Sequence, residues 1–425
     1  MQRSSTHTFT LQQWLNYQQS LHQQVIELGL DRVREVARSM SLHPTCPIIT
    51  VAGTNGKGST CAFLNSILSV AGYKTGIYTS PHLVRYNERI AINDRLVSDE
   101  ELCQQFQKIE EARQEVSLTP FEFGVLAAVS LFIEQQVDVM ILEVGLGGRL
   151  DAVNIFDPTV SIVTSIGIDH IEYLGDNRED IGREKAGIFR PQTPAICADP
   201  DPPQSIINYA KQINAPLKLW GKDFSLTNAG ESLVFVGCDR CIDSLPYPAL
   251  KGGFQLHNAA AAICALLSLS DRIHITTQHI EYGLKNVFIA GRYQQLTHHC
   301  TIILDVAHNP HGAQQLKKNL IEQPCYGRTK LVFGMLRDKD IRGVVEQLHP
   351  VTDEWHVAPV PDLRGANASE LAHFIEQVGG KVKTHDSFQE AMTDALNTSE
   401  ALDRIVVTGS FVTVGLVTDY LVNLG

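Results

Sequence analysis

The sequence lacks the features that mark membrane, secreted or nucleic-acid-binding proteins. None of its apolar runs approaches the roughly 20 residues needed to cross a bilayer, and residues 1–7 lack the apolar core of a secretion signal. The formal net charge is −12 and no basic block offsets it, which argues against a nucleic-acid partner. The nine cysteines are scattered and odd in number, so they give no disulfide framework. We therefore expect a cytoplasmic protein with reduced thiols and neither a membrane nor a nucleic-acid partner.

The apolar pattern predicts an α/β protein. A chain of 425 residues has the length of two or three domains. It begins with two segments of helical periodicity, which run from Leu11 to Ile26 and from Val33 to Met40. β-prone runs then alternate with helical stretches, as in a parallel sheet covered by helices. The strands predicted in this part are residues 48–51, 75–78, 137–142, 160–164 and 195–197.

The alternation restarts after Arg292 and predicts a second, smaller α/β unit of about 130 residues. Its predicted strands are residues 301–304, 330–333, 355–357 and 404–407, and its helices are residues 312–321, 341–348, 368–378 and 414–424. Residues 293–300 are polar and form the expected join. We therefore expect two domains, residues 1–295 and residues 296–425.

The most informative segment is Gly53-Thr54-Asn55-Gly56-Lys57-Gly58-Ser59, which joins an apolar β-prone run to a helical stretch. A strand, a glycine-rich turn and a helix N-terminus in this order form a phosphate cradle, because main-chain N–H groups and the helix dipole point at the anion. The spacing departs from the general pattern G-x-x-x-x-G-K-[ST], since Val51 replaces the first glycine and Gly58 follows the lysine. We expect a nucleoside triphosphate to bind here. A glycine-rich turn with a solvated lysine is the alternative.

Polar side chains follow three of the predicted strands. Glu143 follows a buried strand and precedes a glycine-rich turn, a position suited to Mg²⁺ because ligands bind at the carboxyl ends of parallel strands. A helix cap or a salt bridge is the alternative for this glutamate. Asp169 and His170 follow the strand at 160–164, and the residues alone leave a metal role and a structural role equally open. Ser80 follows the strand at 75–78 and, taken alone, is an ordinary turn residue.

Three further features stay ambiguous from the residues alone. Lys185 lies in a helical stretch beside an acidic residue, where a solvated charge pair is the simpler interpretation. Asp305 and His308 open a helix after a strand, where they suit a ribose or a phosphate but equally form a capping turn. Cys238 and Cys241 form a single C-x-x-C without a second pair or nearby histidines, which disfavours a structural zinc site because such a site needs four ligands.

Taken together, these segments resemble the ATP-dependent ligases that add glutamate to folates, a branch of the Mur ligases. The matching segments keep the family's order along nearly the whole chain: residues 53–59, 80–89, 143–151, 164–166, 169–170, 182–188, 305–310, 334–336, 338–340 and 409–411. The resemblance implies a Mur-ligase-like P-loop ATPase domain with a parallel sheet and a smaller, Rossmann-like C-terminal domain. It also implies an active site in the cleft between them.

The resemblance implies an activity as well. L-Glutamate would be added to dihydropteroate, giving dihydrofolate, and to tetrahydrofolates, giving polyglutamates. ATP would first convert the substrate carboxylate into an acyl phosphate, from which the amine of glutamate expels phosphate. The implied protein is a monomer that uses ATP as co-substrate and two Mg²⁺ ions. The alternatives are a folylpolyglutamate synthase without the dihydropteroate reaction, a cell-wall Mur ligase and a P-loop nucleotide switch.

The resemblance also assigns roles by position. Lys57, Lys185 and His170 would be catalytic, and Ser80, Glu143, His170 and a carbamylated Lys185 would bind Mg²⁺. The residues that would hold ATP are Asn55, Gly56, Lys57, Gly58, Ser59, Asn258, Arg292, Asp305 and His308. The residues that would contact the pterin-bearing substrate are Leu28, Gly29, Leu30, Thr119, Pro120, Phe121, Glu122, Arg149, Leu150 and Asp151.

Overall fold

The computed structural model describes residues 9–22 and 27–424. The predictions for residues 1–7 and for the helical residues Val25 and Ile26 lie outside the described residues. The described strands are β1 (Ile48–Ala52), β2 (Thr75–Tyr78), β3 (Ile90–Ile92), β4 (Arg95–Leu96), β5 (Val139–Glu143), β6 (Val160–Val163), β7 (Ala195–Cys197), β8 (Leu217–Leu219), β9 (Phe224–Asn228), β10 (Leu233–Gly237), β11 (Arg240–Leu245), β12 (Gln294–Thr297), β13 (Thr301–Leu304), β14 (Thr329–Phe333), β15 (Glu354–Val357), β16 (Val382–Thr384) and β17 (Arg404–Thr408).

The described α-helices are α1 (Leu11–Leu21), α2 (Asp31–Ser39), α3 (Lys57–Val70), α4 (Asp99–Arg113), α5 (Pro120–Glu134), α6 (Ile171–Leu174), α7 (Arg178–Ala186), α8 (Gln204–Gln212), α9 (Phe254–Leu267), α10 (Thr277–Asn286), α11 (Pro310–Glu322), α12 (Ile341–Leu348), α13 (Ala368–Gln377), α14 (Phe388–Asn397) and α15 (Phe411–Leu424). The strands that the apolar pattern predicts are all present, and the α/β class is confirmed. Their ends shift by one or two residues; the strand expected from residue 137, for example, begins at Val139.

The chain divides into two compact units. Unit 1 comprises residues 1–81, 86–249 and 255–287, and unit 2 comprises residues 82–85, 250–254 and 288–425. Among the described helices, none is both long and apolar enough to cross a membrane.

Unit 1 is built on an eight-stranded sheet with the order β4-β3-β2-β5-β1-β6-β7-β8. Neighbouring strands along the series β2-β5-β1-β6-β7-β8 are parallel, whereas β3 pairs antiparallel with both β2 and β4. Every residue of β1 and β5 is buried, as expected for strands covered on both faces. Because β1 lies between β5 and β6, their carboxyl ends meet at one edge of the sheet, which is where doubly wound proteins bind ligands.

A separate antiparallel sheet of β9, β10 and β11 contains the C-x-x-C sequence. Cys238 and Asp239 form the two-residue turn between β10 and β11, and both have positive φ, 52° and 55°. Two successive residues of positive φ suit the right-handed twist of a tight hairpin. The Cys238–Cys241 spacing therefore belongs to a hairpin turn.

Unit 2 contains a six-stranded sheet with the order β12-β13-β17-β14-β15-β16. Its strands are parallel except β12, which pairs antiparallel with β13. β12 lies within residues 293–300, for which the sequence predicts only a polar join. The half-exposed side chains of this edge strand explain its low apolar content.

Candidate active site

The phosphate loop follows β1, and α3 begins at Lys57. Gly56 has φ +90°, a conformation that side chains with a Cβ rarely adopt. The ammonium group of Lys57 donates to the main-chain oxygens of Gly53 at 3.0 Å and Thr54 at 3.2 Å. The loop therefore forms the strand–turn–helix structure that the sequence predicts, with a lysine folded over it.

The loop after β6 holds the phosphate loop in place. The N–H of Thr54 donates to the carbonyl oxygen of Ser165 at 2.7 Å, and the hydroxyl of Thr164 donates to the carbonyl oxygen of Asn55 at 2.7 Å. The same loop continues to Asp169 and His170. His170 has φ 53°, and its Nε2 lies 4.0 Å from the Asp169 carboxylate. Pairing of β1 with β6 thus places the segment that carries the Asp-His pair next to the phosphate loop, through the contacts of Thr164 and Ser165.

Glu143 is the last residue of β5, and 4% of the residue is exposed. One carboxylate oxygen accepts from the N–H of Ser80 at 3.2 Å. Since β2 and β5 are neighbours, the turn after β2 meets the end of β5. The structure therefore brings two of the predicted metal ligands, Glu143 and Ser80, into direct contact.

Lys185 is buried near the end of α7, with 5% of the residue exposed. Its ammonium group donates to the carbonyl oxygen of Gly53 at 2.9 Å. Burial and, to a smaller extent, the nearby charge of Lys57 lower the pKa of Lys185 from 10.5 to about 7, although Asp169 and Asp151 act in the opposite direction. The solvated charge pair is excluded as the interpretation of this lysine.

Helix α9 supplies two polar side chains to the phosphate loop. A Cβ placed on Gly56 would lie 2.5 Å from the Asn258 side-chain oxygen, so this amide lies directly over the turn. Gln255 accepts from Asn258 at 2.9 Å and donates to the hydroxyl of Ser59 at 3.3 Å. Gln255 is a site residue that was not predicted from the sequence, although its spacing of three from Asn258 places both residues on one helix face.

The predicted pterin contacts lie on three segments that meet in unit 1. The N–H of Gly29 donates to the carbonyl oxygen of Leu150 at 3.2 Å. Phe121 packs on Gly145, where an added Cβ would lie 2.5 Å from the ring. Asp151 is buried and accepts from the N–H groups of Leu146 and Val153, and burial raises its pKa to about 7.

Part of this predicted set has structural partners within the fold. Thr119 and Glu122 form a capping box at the start of α5, and the Glu122 carboxylate also lies 3.3 Å from Arg32. Arg149 is half-exposed and forms an ion pair with Glu184 at 2.9 Å. Pro120 is the first residue of α5, and Leu28 and Leu30 are partly buried.

The nucleotide-binding candidates of unit 2 form their own cluster. Asp305 follows β13 and accepts from the N–H groups of Tyr293 and Ala307, each at 2.9 Å, and burial raises its pKa. The guanidinium of Arg292 lies over the Phe411 ring at 5.1 Å, and the His308 ring lies 5.8 Å from the same ring. The capping turn also exists, but Asn309 provides it, since its side chain accepts from the N–H of Gly312. This leaves both Asp305 and His308 outside the cap.

Family models match both units. Residues 51–266 match the Mur ligase middle domain, and residues 291–411 match the glutamate ligase domain of Mur ligases. The class that this fold and its phosphate loop define is therefore the Mur ligases.

Similar proteins narrow the family further. The Escherichia coli (strain K12) dihydrofolate synthase/folylpolyglutamate synthase is 42% identical over 412 residues, which are 97% of this chain and 95% of that protein. The structure of E. coli FolC in complex with DHPP and ADP superposes with a TM-score of 0.94 at 41% identity, covering 98% of this chain and 99% of that one. A bifunctional folylpolyglutamate synthase/dihydrofolate synthase with Mn, AMPPNP and L-glutamate bound has a TM-score of 0.90 at 41% identity, covering 97% and 98%. The chain belongs to the bifunctional dihydrofolate synthase/folylpolyglutamate synthases of the Mur ligase family, which are ATP-dependent glutamate ligases.

Proposed function

We propose that the residues around Gly53 are where ATP activates the carboxylate of dihydropteroate or a tetrahydrofolate for attack by L-glutamate. The observation that carries this proposal is the position of the Lys57 ammonium, which donates to the Gly53 and Thr54 carbonyl oxygens of the glycine-rich loop. A cationic group at a glycine-rich turn and helix N-terminus stabilises the negative charge of phosphoryl oxygens.

The first step forms an acyl phosphate. The substrate carboxylate attacks the γ-phosphorus of ATP, the bond to ADP breaks, and Lys57 stabilises the charge on the transferring oxygens. The unprotonated amine of glutamate then attacks the acyl carbon. Phosphate leaves, the amine loses its proton, and an amide remains. Since both steps need close approach of two substrates, binding and orientation supply much of the acceleration.

Divalent metal and ATP fit the residues of this site. The proposed metal ligands are Ser80, Glu143, His170 and Lys185, with two Mg²⁺ ions per chain. The donor set fits Mg²⁺ because Glu143 supplies a buried carboxylate in contact with Ser80. When bound, the metal neutralises charge on the phosphate oxygens. A related enzyme with Mn and AMPPNP bound supports a divalent ion in this role.

Lys185 fits a metal site only if its charge is reversed. With a pKa of about 7, much of this buried lysine is a neutral amine near neutral pH. We propose that its nitrogen adds to the carbon of CO₂ and releases a proton, giving an anionic carbamate with oxygen donors. NMR of protein in ¹³C-bicarbonate should show one carbamate signal that disappears in Lys185→Arg. If both proteins give the same spectrum, Lys185 is not the modified residue.

The other sites complete the proposal. The surface of Gly29, Phe121 and Leu150 would bind the pterin-bearing substrate, and Asn258, Arg292, Asp305 and His308 would hold the nucleotide. The proposed domains are residues 1–295, which bind ATP, and residues 296–425, the glutamate ligase domain, in a cytoplasmic monomer. Most of the residues that match the glutamate ligase domain, 291–411, fall in the second of these ranges.

The test is an assay of ADP release with substrates added singly and together. Release should require both glutamate and a pteroate or folate acceptor, and dihydropteroate and tetrahydrofolate should each support it. If tetrahydrofolate supports ADP release and dihydropteroate does not, the protein is a folylpolyglutamate synthase only. ADP release without any acceptor would exclude the proposed activation of a substrate carboxylate.

A second test concerns the metal site. Glu143→Gln, which keeps the size of the side chain, should lower turnover and weaken Mn²⁺ binding measured with ATP present. The matched variant Glu172→Gln, in an exposed residue of α6, should leave both unchanged.

A further inference from the structure

Three potential metal ligands meet on the sheet of unit 2. His356 lies on β15, His385 directly follows β16, and Asp394 lies on α14. The parallel pairing of β15 with β16 and a hydrogen bond from the His385 N–H to the Val357 carbonyl oxygen fix the two histidines side by side. β15 and β16 lie at one edge of the sheet, and β12 and β13 lie at the other edge. Asp305 directly follows β13. The group is therefore separate from the nucleotide-binding candidates of the same unit.

The distances between the three donor atoms suit one small ion. Nδ1 of His356 lies 3.2 Å from Nε2 of His385 and 3.3 Å from Oδ2 of Asp394, and the two latter atoms are 3.9 Å apart. A point about 2 Å from all three atoms lies inside this triangle, which matches the Zn–N and Zn–O bond lengths. Among the described residues, this is the group of three His, Cys, Asp or Glu side chains that lies close enough to hold a metal.

We propose that His356, His385 and Asp394 bind a divalent transition-metal ion of the Zn²⁺ class. Two imidazoles and one carboxylate favour Zn²⁺, Co²⁺ or Ni²⁺ over Mg²⁺ and Ca²⁺, which prefer oxygen ligands. An open depression of about 960 Å³, lined by residues that include His385 and Asp394, gives the ion a route from solvent and leaves room for a water ligand.

A buried nitrogen that makes no hydrogen bond supports the assignment. The His356 side chain is 0% exposed, and its Nε2 makes no hydrogen bond. This nitrogen lies 3.7 Å from a carboxylate oxygen of Glu354. A metal on Nδ1 requires the proton on Nε2, where it faces that carboxylate. Second carboxylates of this kind orient metal-binding histidines in proteins.

Lys383 is the group that competes with the ion. Its ammonium lies 2.8 Å from Glu354 and 3.1 Å from the same Asp394 oxygen that faces the histidines. The side chain is 46% exposed, so it can turn towards solvent when the ion binds. A bound ion would join β15, β16 and α14 and so stabilise the short edge strand.

The experiment is a Zn²⁺ titration of tag-free full-length protein against a chromophoric chelator, with excess Mg²⁺ to occupy sites that prefer oxygen ligands. We expect His385→Asn to lose one equivalent of Zn²⁺ or to bind it about 100-fold more weakly, because it removes a ligand. Lys383→Gln should bind Zn²⁺ more tightly than the wild type. The matched control is His299→Asn, since His298 and His299 also have adjacent ring nitrogens, at 2.7 Å, but form no such three-ligand group.

Thermal unfolding separates binding from folding. The metal-free melting temperature of His385→Asn and of His299→Asn should match the wild type. Zn²⁺ should raise it in the wild type, in His299→Asn and in Lys383→Gln, but not in His385→Asn. If His385→Asn proves unstable, Asp394→Asn repeats the test from the helix. Equal Zn²⁺ binding by wild type, His385→Asn and Asp394→Asn would overturn the proposal, as would the same loss in His299→Asn.

Discussion

Lys57 and Lys185 donate to the same acceptor, the main-chain carbonyl oxygen of Gly53, at 3.0 and 2.9 Å. The two lysines are 128 positions apart in sequence, and they come from the start of α3 and the end of α7. Burial favours the neutral form of Lys185, and the neighbouring Lys57 charge favours it further. The site therefore contains, beside Lys57, an amine that titrates near neutral pH.

The first prediction concerns Lys57. Lys57→Ala should abolish turnover while leaving the fold intact, because the ammonium bonds to the phosphate loop and not to the hydrophobic core. The measurements are steady-state ADP release and the urea midpoint of unfolding. Lys222→Ala, in an exposed turn, is the control and should keep full activity. A Lys57→Ala enzyme of near-normal rate would show that the loop does not act on ATP.

The second prediction concerns stability and pH. The pKa of Lys185 is about 7 in the folded protein and 10.5 in its ordinary state, so between these values the unfolded chain binds more protons. The free energy of unfolding should therefore rise with pH in this window, by up to about 1.4 kcal/mol per pH unit. Below pH 7 the buried lysine is protonated in the folded protein, and its full destabilising effect is present.

Lys185→Met isolates this contribution. The free energy of unfolding is measured with urea in buffer without CO₂. The difference between the wild type and the variant should rise with pH between pH 7 and 10, because the contributions of other titrating groups cancel in the difference. The groups around the amine are Lys57, Asp169 and Asp151. A flat difference would mean that the lysine stays protonated in the folded protein.

The third prediction uses two glycines of similar conformation. Gly56 and Gly72 have φ of +90° and +85°, so alanine at either position should cost about 1–2 kcal/mol of stability. Only at Gly56 does the new Cβ meet another group, the Asn258 side-chain oxygen at 2.5 Å, whereas nothing lies within 4 Å of the Cβ at Gly72.

Gly56→Ala should therefore lose ATP affinity, and Gly72→Ala should keep it. Equilibrium binding of a fluorescent ATP analogue measures the difference in affinity. Chemical denaturation measures the loss of stability that the two variants share. Equal ATP affinities for the two variants would contradict the close packing of Asn258 on the phosphate loop.

The fourth prediction concerns Cys238 in the β10–β11 turn. The ammonium of Lys218 lies 2.9 Å from its sulfur, and Cys264 and Ser268 lie at 3.5 and 3.6 Å. These hydrogen bonds lower the pKa of the Cys238 thiol, and it is only partly buried. Mass spectrometry after brief iodoacetamide treatment at pH 7 should therefore find Cys238 labelled ahead of the buried Cys61 and Cys197.

Lys218→Met should slow that labelling, because it removes the cation beside the thiolate. Lys211→Met, on α8, is the matched control and should not change it. An unchanged rate in Lys218→Met would show that the ammonium does not stabilise the thiolate.

The phosphate loop and the strand ends were predictable because they depend on local patterns. Apolar runs of four or five residues predict buried strands, and in a parallel sheet the polar residues that follow them lie at one edge. Glu143 and Asp169 are examples. The apolar pattern does not predict the short strand β3, the edge strands β12 and β16, or the separate sheet of β9, β10 and β11. In β12 and β16, half-exposed residues weaken the periodic signal.

The sequence by itself determined the reaction class, since the loop and its ordered companion motifs are sufficient to indicate a ligase that uses ATP. Only the tertiary structure decided which side chains are buried and which of them lie in contact. Lys185 resembles a solvated charge in sequence and is buried on Gly53 in the fold, and Gln255 joins the phosphate loop only because α9 packs there. Likewise, His356, His385 and Asp394 have no common motif, and strand pairing with helix packing brings them together. Burial and distance depend on long-range packing, which no local pattern encodes.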